Sequence, residues 1–302
     1  MKKALSLLVA ILFLLSLNAC CATTDPELLS PSISSDDSNL ENESPNSSAD
    51  LGQVQNDIIS ETVLLDEAGV KITAKSLEMN SLLGPEIKLL IENTSGINLT
   101  VQARNVSVNG YMIEPIMSVD IVSGKKANDS IIFSESDLDL CGIKTIADIE
   151  LSFHIFSTDD WETYLDSKPI QLKTTAADTY TYTFDDSGEE VYNSDDIKIV
   201  IKGLSENDSI LGPGIIVYIH NNSQKNITVQ TRDISINGFM VDAVFSSDVV
   251  AGKHRVDSIT FFSSDLEENG ITQIETAELS FHIFNAESWN TIADTDTIVI
   301  NF

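Results

Sequence analysis

Three regimes of hydrophobic patterning divide the 302 residues. Across residues 4–17 apolar side chains run almost without a break. Across residues 23–57 they are scattered among Ser, Asp, Asn, Glu and Pro. Beyond that they recur at the two-residue period of half-buried strands. Val70, Ile72 and Ala74 alternate with Lys71, Thr73 and Lys75, and residues 86–92 form a run rich in Ile and Leu. Residues 99–108, 130–134, 147–156 and 170–173 read as further strands. Asn109-Gly110 and Asn237-Gly238 each lie between apolar-rich strands. That dipeptide accepts the two positive φ angles of a type I′ turn, so a hairpin is predicted at both places. Residues 263–270 (SSDLEENG) read as one capped helical turn ending at glycine. No long helical period is present, which argues against a parallel α/β fold.

The β-patterned region is one unit written twice. NLTVQARNVSVNGYM begins at Asn98 and NITVQTRDISINGFM at Asn226, an offset of 128 residues. The same offset aligns Leu83-Gly84-Pro85 with Leu211-Gly212-Pro213, the LSFHIF segments at Leu151 and Leu279, and Trp161 with Trp289. One residue of slippage near Met79 brings GVKITAKSL at Gly69 onto DIKIVIKGL at Asp196. Self-similarity over so long a stretch marks a duplicated structural unit. About seven or eight strands in a copy of about 110 residues suit a two-sheet sandwich. Residues 58–175 and 189–302 are the expected modules, and 176–188 (AADTYTYTFDDSG) a linker or an added edge strand.

The amino-terminal segment reads as an address. Lys2 and Lys3 precede an apolar stretch too short to span a bilayer and suited to a signal peptide, residues 1–19. It closes on Leu17-Asn18-Ala19-Cys20, which resembles the lipobox of bacterial lipoproteins, with Asn18 the departure from the usual pattern. The resemblance implies that Cys20 is lipidated and becomes the mature terminus, anchored on the extracytoplasmic side of the cell membrane. Residues 20–57 are then a disordered acidic tether, too poor in apolar groups to offset the entropy of ordering. The chain has 17 basic and 47 acidic side chains, a net charge of −30. Such a charge repels nucleic acid and anionic headgroups, so contact with the membrane is expected through the lipid alone. Three cysteines exclude a disulfide-stapled scaffold.

The lipobox, polar tether and compact β repeats resemble Gram-positive surface lipoproteins with tandem immunoglobulin-like modules. The nearest group is typified by a mycobacterial secreted antigen of immunoglobulin-like fold. The order "apolar run, Asn93, polar turn, long strand, Asn109-Gly110", repeated at Asn221 and Asn237-Gly238, carries the resemblance. It implies an all-β chain of two tandem immunoglobulin-like β-sandwich domains. It brings no catalytic motif and no cofactor.

Candidate chemistry is sparse. Ser152, His154 and Phe156 share one face of a strand, as do Ser280, His282 and Phe284. A serine and a histidine two apart can serve as nucleophile and base, but no third orienting group or oxyanion hole is evident nearby. Histidines on an outer or partly covered sheet face are the expectation. His220 and His254 face Glu92 and Lys126 in the other copy, which argues against a duplicated metal site. The acids kept in both copies, Asp120/Asp248, Asp129/Asp257, Asp137/Asp265 and Glu150/Glu278, are too dispersed for a calcium loop. Lys125, Lys126, Lys253 and Arg255 are basic spots expected in turns and able to meet an anionic polymer or glycan. Arg104 and Arg232 are expected to pair with a carboxylate across the sheet. Trp161 and Trp289 suit a sugar-stacking platform or a core or loop plug. Cys141 aligns with Asn269 and has no evident disulfide partner.

The sequence therefore points to an anchored envelope lipoprotein with a non-catalytic binding or spacer role, no metal, no cofactor, and an unidentified envelope protein or glycan as partner. The alternative is an envelope hydrolase or metal-dependent enzyme with a site between the modules.

Overall fold

Alternating side chains and Asn-Gly turns fold into strands across the whole region described by the computed structural model, residues 58–205 and 210–302. The segments expected to be a signal peptide and a tether, with Cys20, lie outside the described residues. The first repeat contributes β1 (Thr62–Glu67), β2 (Val70–Glu78), β3 (Glu86–Asn93), β4 (Leu99–Val108), β5 (Tyr111–Met112), β6 (Pro115–Ile116), β7 (Ser118–Ile121), β8 (Lys125–Phe133), α1 (Glu135–Leu140), β9 (Asp148–Ser157), β10 (Thr163–Asp166) and β11 (Ile170–Lys173). The second repeats the series as β12 (Glu189–Ser194), β13 (Ile197–Leu204), β14 (Gly214–Asn221), β15 (Ile227–Ile236), β16 (Phe239–Met240), β17 (Ala243–Val244), β18 (Ser246–Val249), β19 (Lys253–Phe261), α2 (Ser263–Glu268), β20 (Thr276–Asn285), β21 (Thr291–Asp294) and β22 (Ile298–Asn301). Eleven strand segments per repeat exceed the seven or eight expected, the excess being short pieces such as β5, β6 and β7 that pair briefly with longer strands. The described residues are all-β apart from two six-residue helices.

Local chemistry explains the duplicated details. Asn109 and Gly110 sit at φ 51° and 85°, and Asn237 and Gly238 at 50° and 83°, the left-handed pair that a type I′ turn requires. The long strand bulges at one place in both copies, with Asn105 and Asp233 each at φ 53°. Short polar side chains tolerate that region better than branched ones.

Three sheets result. The first runs β1-β2-β3-β8-β6, the third runs β16-β15-β20-β21, and the second joins β10-β9-β4-β5 of the first repeat to β19-β14-β13-β12 of the second. In the first repeat Ile72, Ile87, Ile91 and Phe133 share a buried cluster with Leu99, Val101, Phe153 and Ile155. The second repeat builds its own from Ile199, Ile215, Phe261, Val229, Phe281 and Ile283. The halves are not wholly separate, however. Met112 packs into the second cluster, while Val200, Tyr218 and Val256 pack into the first.

No strand forms within residues 176–188. Of the two roles expected for it, linker or edge strand, the strand is not formed, and the segment packs against the first repeat's core. Ala176 is buried and Phe184 lies against the first cluster. Lys202 holds Asp185 at 2.8 Å and Lys198 holds Asp186 at 2.8 Å, pinning the segment onto β13.

Candidate functional site

Two places concentrate side chains that the sequence singled out. The first is the outer face of the LSFHIF strand, present in both copies. Leu151, Phe153 and Ile155 of β9 point into the core, so Ser152, His154 and Phe156 point outward. The turn after β9 folds back and holds Trp161 at φ 63° over Phe156, with ring centroids 5.6 Å apart in a stacked geometry. Trp289 repeats this at φ 61° over Phe284, again at 5.6 Å. The indoles are 76% and 75% exposed, so neither plugs a core. A left-handed backbone at a bulky residue is strained, and here the strain falls on the most exposed aromatic of each repeat.

Beside each tryptophan the sheet supplies the group that orients the histidine. His154 Nδ1 meets Asp166 of β10 at 2.5 Å, and His282 Nδ1 meets Asp294 of β21 at 2.6 Å. The sequence missed these partners because the two strands pair across an intervening turn. The serines are engaged elsewhere. Ser152 Oγ donates to the Arg104 carbonyl at 3.2 Å and Ser280 Oγ to that of Arg232 at 3.4 Å. Hence a His–Asp pair is built twice, and its serine neighbour is turned toward the backbone of the adjacent strand. Arg232 pairs with Asp294 at 3.2 Å as expected of it, whereas Arg104 instead reaches Gln102 at 3.2 Å.

The second place is the junction of the repeats. The tip of the first Asn-Gly hairpin, Gly110-Tyr111-Met112, lies along β19. Tyr111 and His254 form a parallel bridge, and the His254 N–H donates to the Gly110 carbonyl at 3.0 Å. His254 is 93% buried, with a relative exposure of 7%, between the ring of Phe184 at 3.6 Å and that of His220 at 4.1 Å. Its Nδ1 lies 2.6 Å from the Tyr218 hydroxyl. Burial, then the neighbouring His220, pushes the His254 pKa down to about 3, so the ring stays neutral and accepts a hydrogen bond from the tyrosine hydroxyl. Burial also lowers the pKa of His220.

Charged groups fasten the rim. Lys253 meets Glu150 at 3.2 Å and Arg255 meets Glu114 at 3.7 Å, both across the junction. Arg255 also holds Asp257 at 3.0 Å. Lys253 and Arg255 thus open a strand and join the repeats, rather than sitting in a solvated turn; the turn is made by Gly252 at φ 74°. In the first repeat Lys125 and Lys126 likewise open β8, and Lys126 pairs with Glu92. Beside the junction a cleft of about 510 Å³ is lined by Arg104, Glu114, Asp248, Arg255 and Glu287 among others. Cys141 is a free thiol, and burial pushes its pKa up to about 12. Among the described residues no group of three or more His, Cys, Asp or Glu side chains could hold a metal ion.

The sequence missed Tyr111, Phe184, Tyr218 and the stacked histidines as partners. A signal was present in the repeat alignment. Leu90, Glu92, Lys126 and Ala127 of the first copy stand where the second has Tyr218, His220, His254 and Arg255. Imidazole rings replacing charged groups at Glu92/His220 and Lys126/His254, beside a tyrosine in place of Leu90, mark a face that has become covered.

No family model matches the chain, and no curated protein matches it. Among solved structures, that of the YadV chaperone at 1.63 Å resolution is 10% identical, covering 72% of this chain and 92% of that one, with a TM-score of 0.23. A likeness that low carries no argument about fold or function.

Proposed function

We propose that this chain is a cell-envelope lipoprotein whose two tandem immunoglobulin-like sandwiches serve a non-catalytic binding and spacing role toward an envelope protein or glycan. The observation that carries the proposal is a matched pair of exposed indoles, Trp161 and Trp289, on repeats that share a sheet and are braced by ion pairs. A flat indole face stacks on the apolar face of a sugar ring. Two such faces at a fixed separation suit a repetitive polymer, because the second contact forms at high effective concentration. The acidic tether would hold the pair away from the membrane, and the net charge of −30 would confine contact between neighbouring copies to charge-complementary surfaces.

Retention of the protein on cell envelopes tests both parts of this reading. Cys20→Ser is expected to release the chain from membranes into the soluble fraction. For the released chain binding to purified envelope glycan, Trp161→Ala or Trp289→Ala alone is expected to weaken retention by about 100-fold, because either removes the second contact, and the two combined to abolish it. A Cys20→Ser chain that stays in membranes refutes the anchor. Unchanged glycan retention in the double variant refutes the tryptophan platform.

A further inference from the structure

The internal junction uses two complementary surfaces, and the duplication has left one spare copy of each. The donor surface is the first repeat's hairpin tip with its acids: Tyr111, Met112, Glu114 and Glu150. Its counterpart in the second repeat is Phe239, Met240, Asp242 and Glu278, which keeps an aromatic, a methionine and two carboxylates in register. The acceptor surface is the start of β19 and its neighbours. Its counterpart in the first repeat is the start of β8, with Lys125, Lys126 and Leu90.

Burial shows which copies are in use. Tyr111 and Met112 are 4% and 6% exposed, whereas Phe239 and Met240 are 48% and 68% exposed. A Cβ placed on Gly110 would meet the Phe184 ring at 3.2 Å, while one on Gly238 would meet nothing within 4 Å. Glu150 is partly buried against Lys253, and its equivalent Glu278 is exposed. Lys125, the equivalent of Lys253, is exposed as well.

We propose that the Phe239–Met240 tip of one molecule docks on the β8 start of a second copy of the same chain, in the arrangement that Tyr111–Met112 adopts on β19 within a molecule. Glu278 of one copy pairs with Lys125 of the next, reproducing Glu150–Lys253. Phe239 covers Leu90, the residue in the place of Tyr218. The contact is heterologous, since tip and acceptor are different surfaces, so it propagates head to tail instead of closing as a symmetric dimer. Ala127 stands where Arg255 does, so the second ion pair of the internal junction is not reproduced. The intermolecular joint is accordingly the weaker one, and association is reversible.

The test is sedimentation of the full chain in a non-ionic detergent, over micromolar to near-millimolar concentration. About 0.15 M salt screens the net repulsion beyond roughly 8 Å. The wild-type mass is expected to rise with concentration past that of a dimer. Phe239→Asp, at an exposed site that leaves the circular dichroism unchanged, is expected to weaken association tenfold or more, to about the level of a monomer. Lys125→Glu and Glu278→Lys are each expected to lose association alone and to recover it when mixed, because each then supplies the charge that the other lacks. A wild-type chain that stays monomeric overturns the proposal. So does association that stops at a dimer, that persists in Phe239→Asp, or that the mixed variants fail to restore.

Discussion

Asn221→Ala is expected to lower the free energy of unfolding by about 3 kcal/mol, since it orphans buried polar groups of the second repeat at a single stroke. The side chain is fully buried. Its Nδ2 donates to the carbonyls of Lys225 and Val249, both at 2.8 Å. Its Oδ1 accepts from the Ser223 N–H at 3.1 Å and the Ser223 hydroxyl at 2.7 Å. One amide thus closes the turn between β14 and β15 and ties it to the end of β18. Alanine leaves the Val249 carbonyl without its side-chain partner. The first repeat builds the same knot with Asn93, whose Nδ2 reaches the Ile97 and Ile121 carbonyls at 2.8 Å. Urea unfolding of Asn221→Ala against Asn222→Ala, at the exposed neighbour, checks the expectation. A loss below about 1 kcal/mol would place the stability of this turn elsewhere.

The second large effect is a dependence of stability on acid, carried by His254. An imidazole in the unfolded chain titrates near 6.5, and in the folded chain burial lowers this to about 3. Above pH 6.5 the ring is neutral in both states and its contribution is whole. As pH falls below 6.5 the unfolded chain takes up a proton that the native chain refuses, and stability is lost progressively down to about pH 3. The loss attributable to this one group is at most about 5 kcal/mol. The surroundings agree in sign. Tyr218 uses the ring nitrogen as its acceptor, and His220 and Lys253 repel a cation there, with Asp186 the opposing charge. Phe184 and Tyr111 close the remaining sides with rings. His254→Phe keeps the stacking and removes the titration. The difference in unfolding free energy between wild type and this variant should therefore shrink as pH falls from 7 to 4.5. A difference that is constant with pH would contradict the assignment.

Much of this fold was legible in the chain. The Asn109-Gly110 and Asn237-Gly238 turns, the inward Leu151, Phe153 and Ile155, and the helical turn before Gly270 all follow from rules spanning a few residues. The 128-residue offset gave the duplicated plan without any structure. The junction was not legible by those rules. Tyr111, Phe184 and His254 are far apart in sequence, and a half-polar strand start reads the same whether water or another repeat covers it. The Asp166 and Asp294 partners were hidden for a similar reason, since strand register decides which acid meets the histidine. The comparison of one copy with the other held the missing signal. Where the copies differ by rings for charges, as at Glu92/His220 and Lys126/His254, the second copy is covered.

That covering is the central physical claim: the repeats are braced by Tyr111, Phe184 and His254 and by the Lys253–Glu150 and Arg255–Glu114 pairs, and do not swing on a linker. The most direct measurement is the distance distribution between spin labels at Thr94→Cys and Thr272→Cys, exposed positions in the first and second repeats. Cys20 and Cys21 are replaced by serine and Cys141 by asparagine, as in the second copy. A single narrow distribution at pH 7 that broadens in Tyr111→Asp is the expected result. A distribution already broad in the chain with Tyr111 intact would contradict the account.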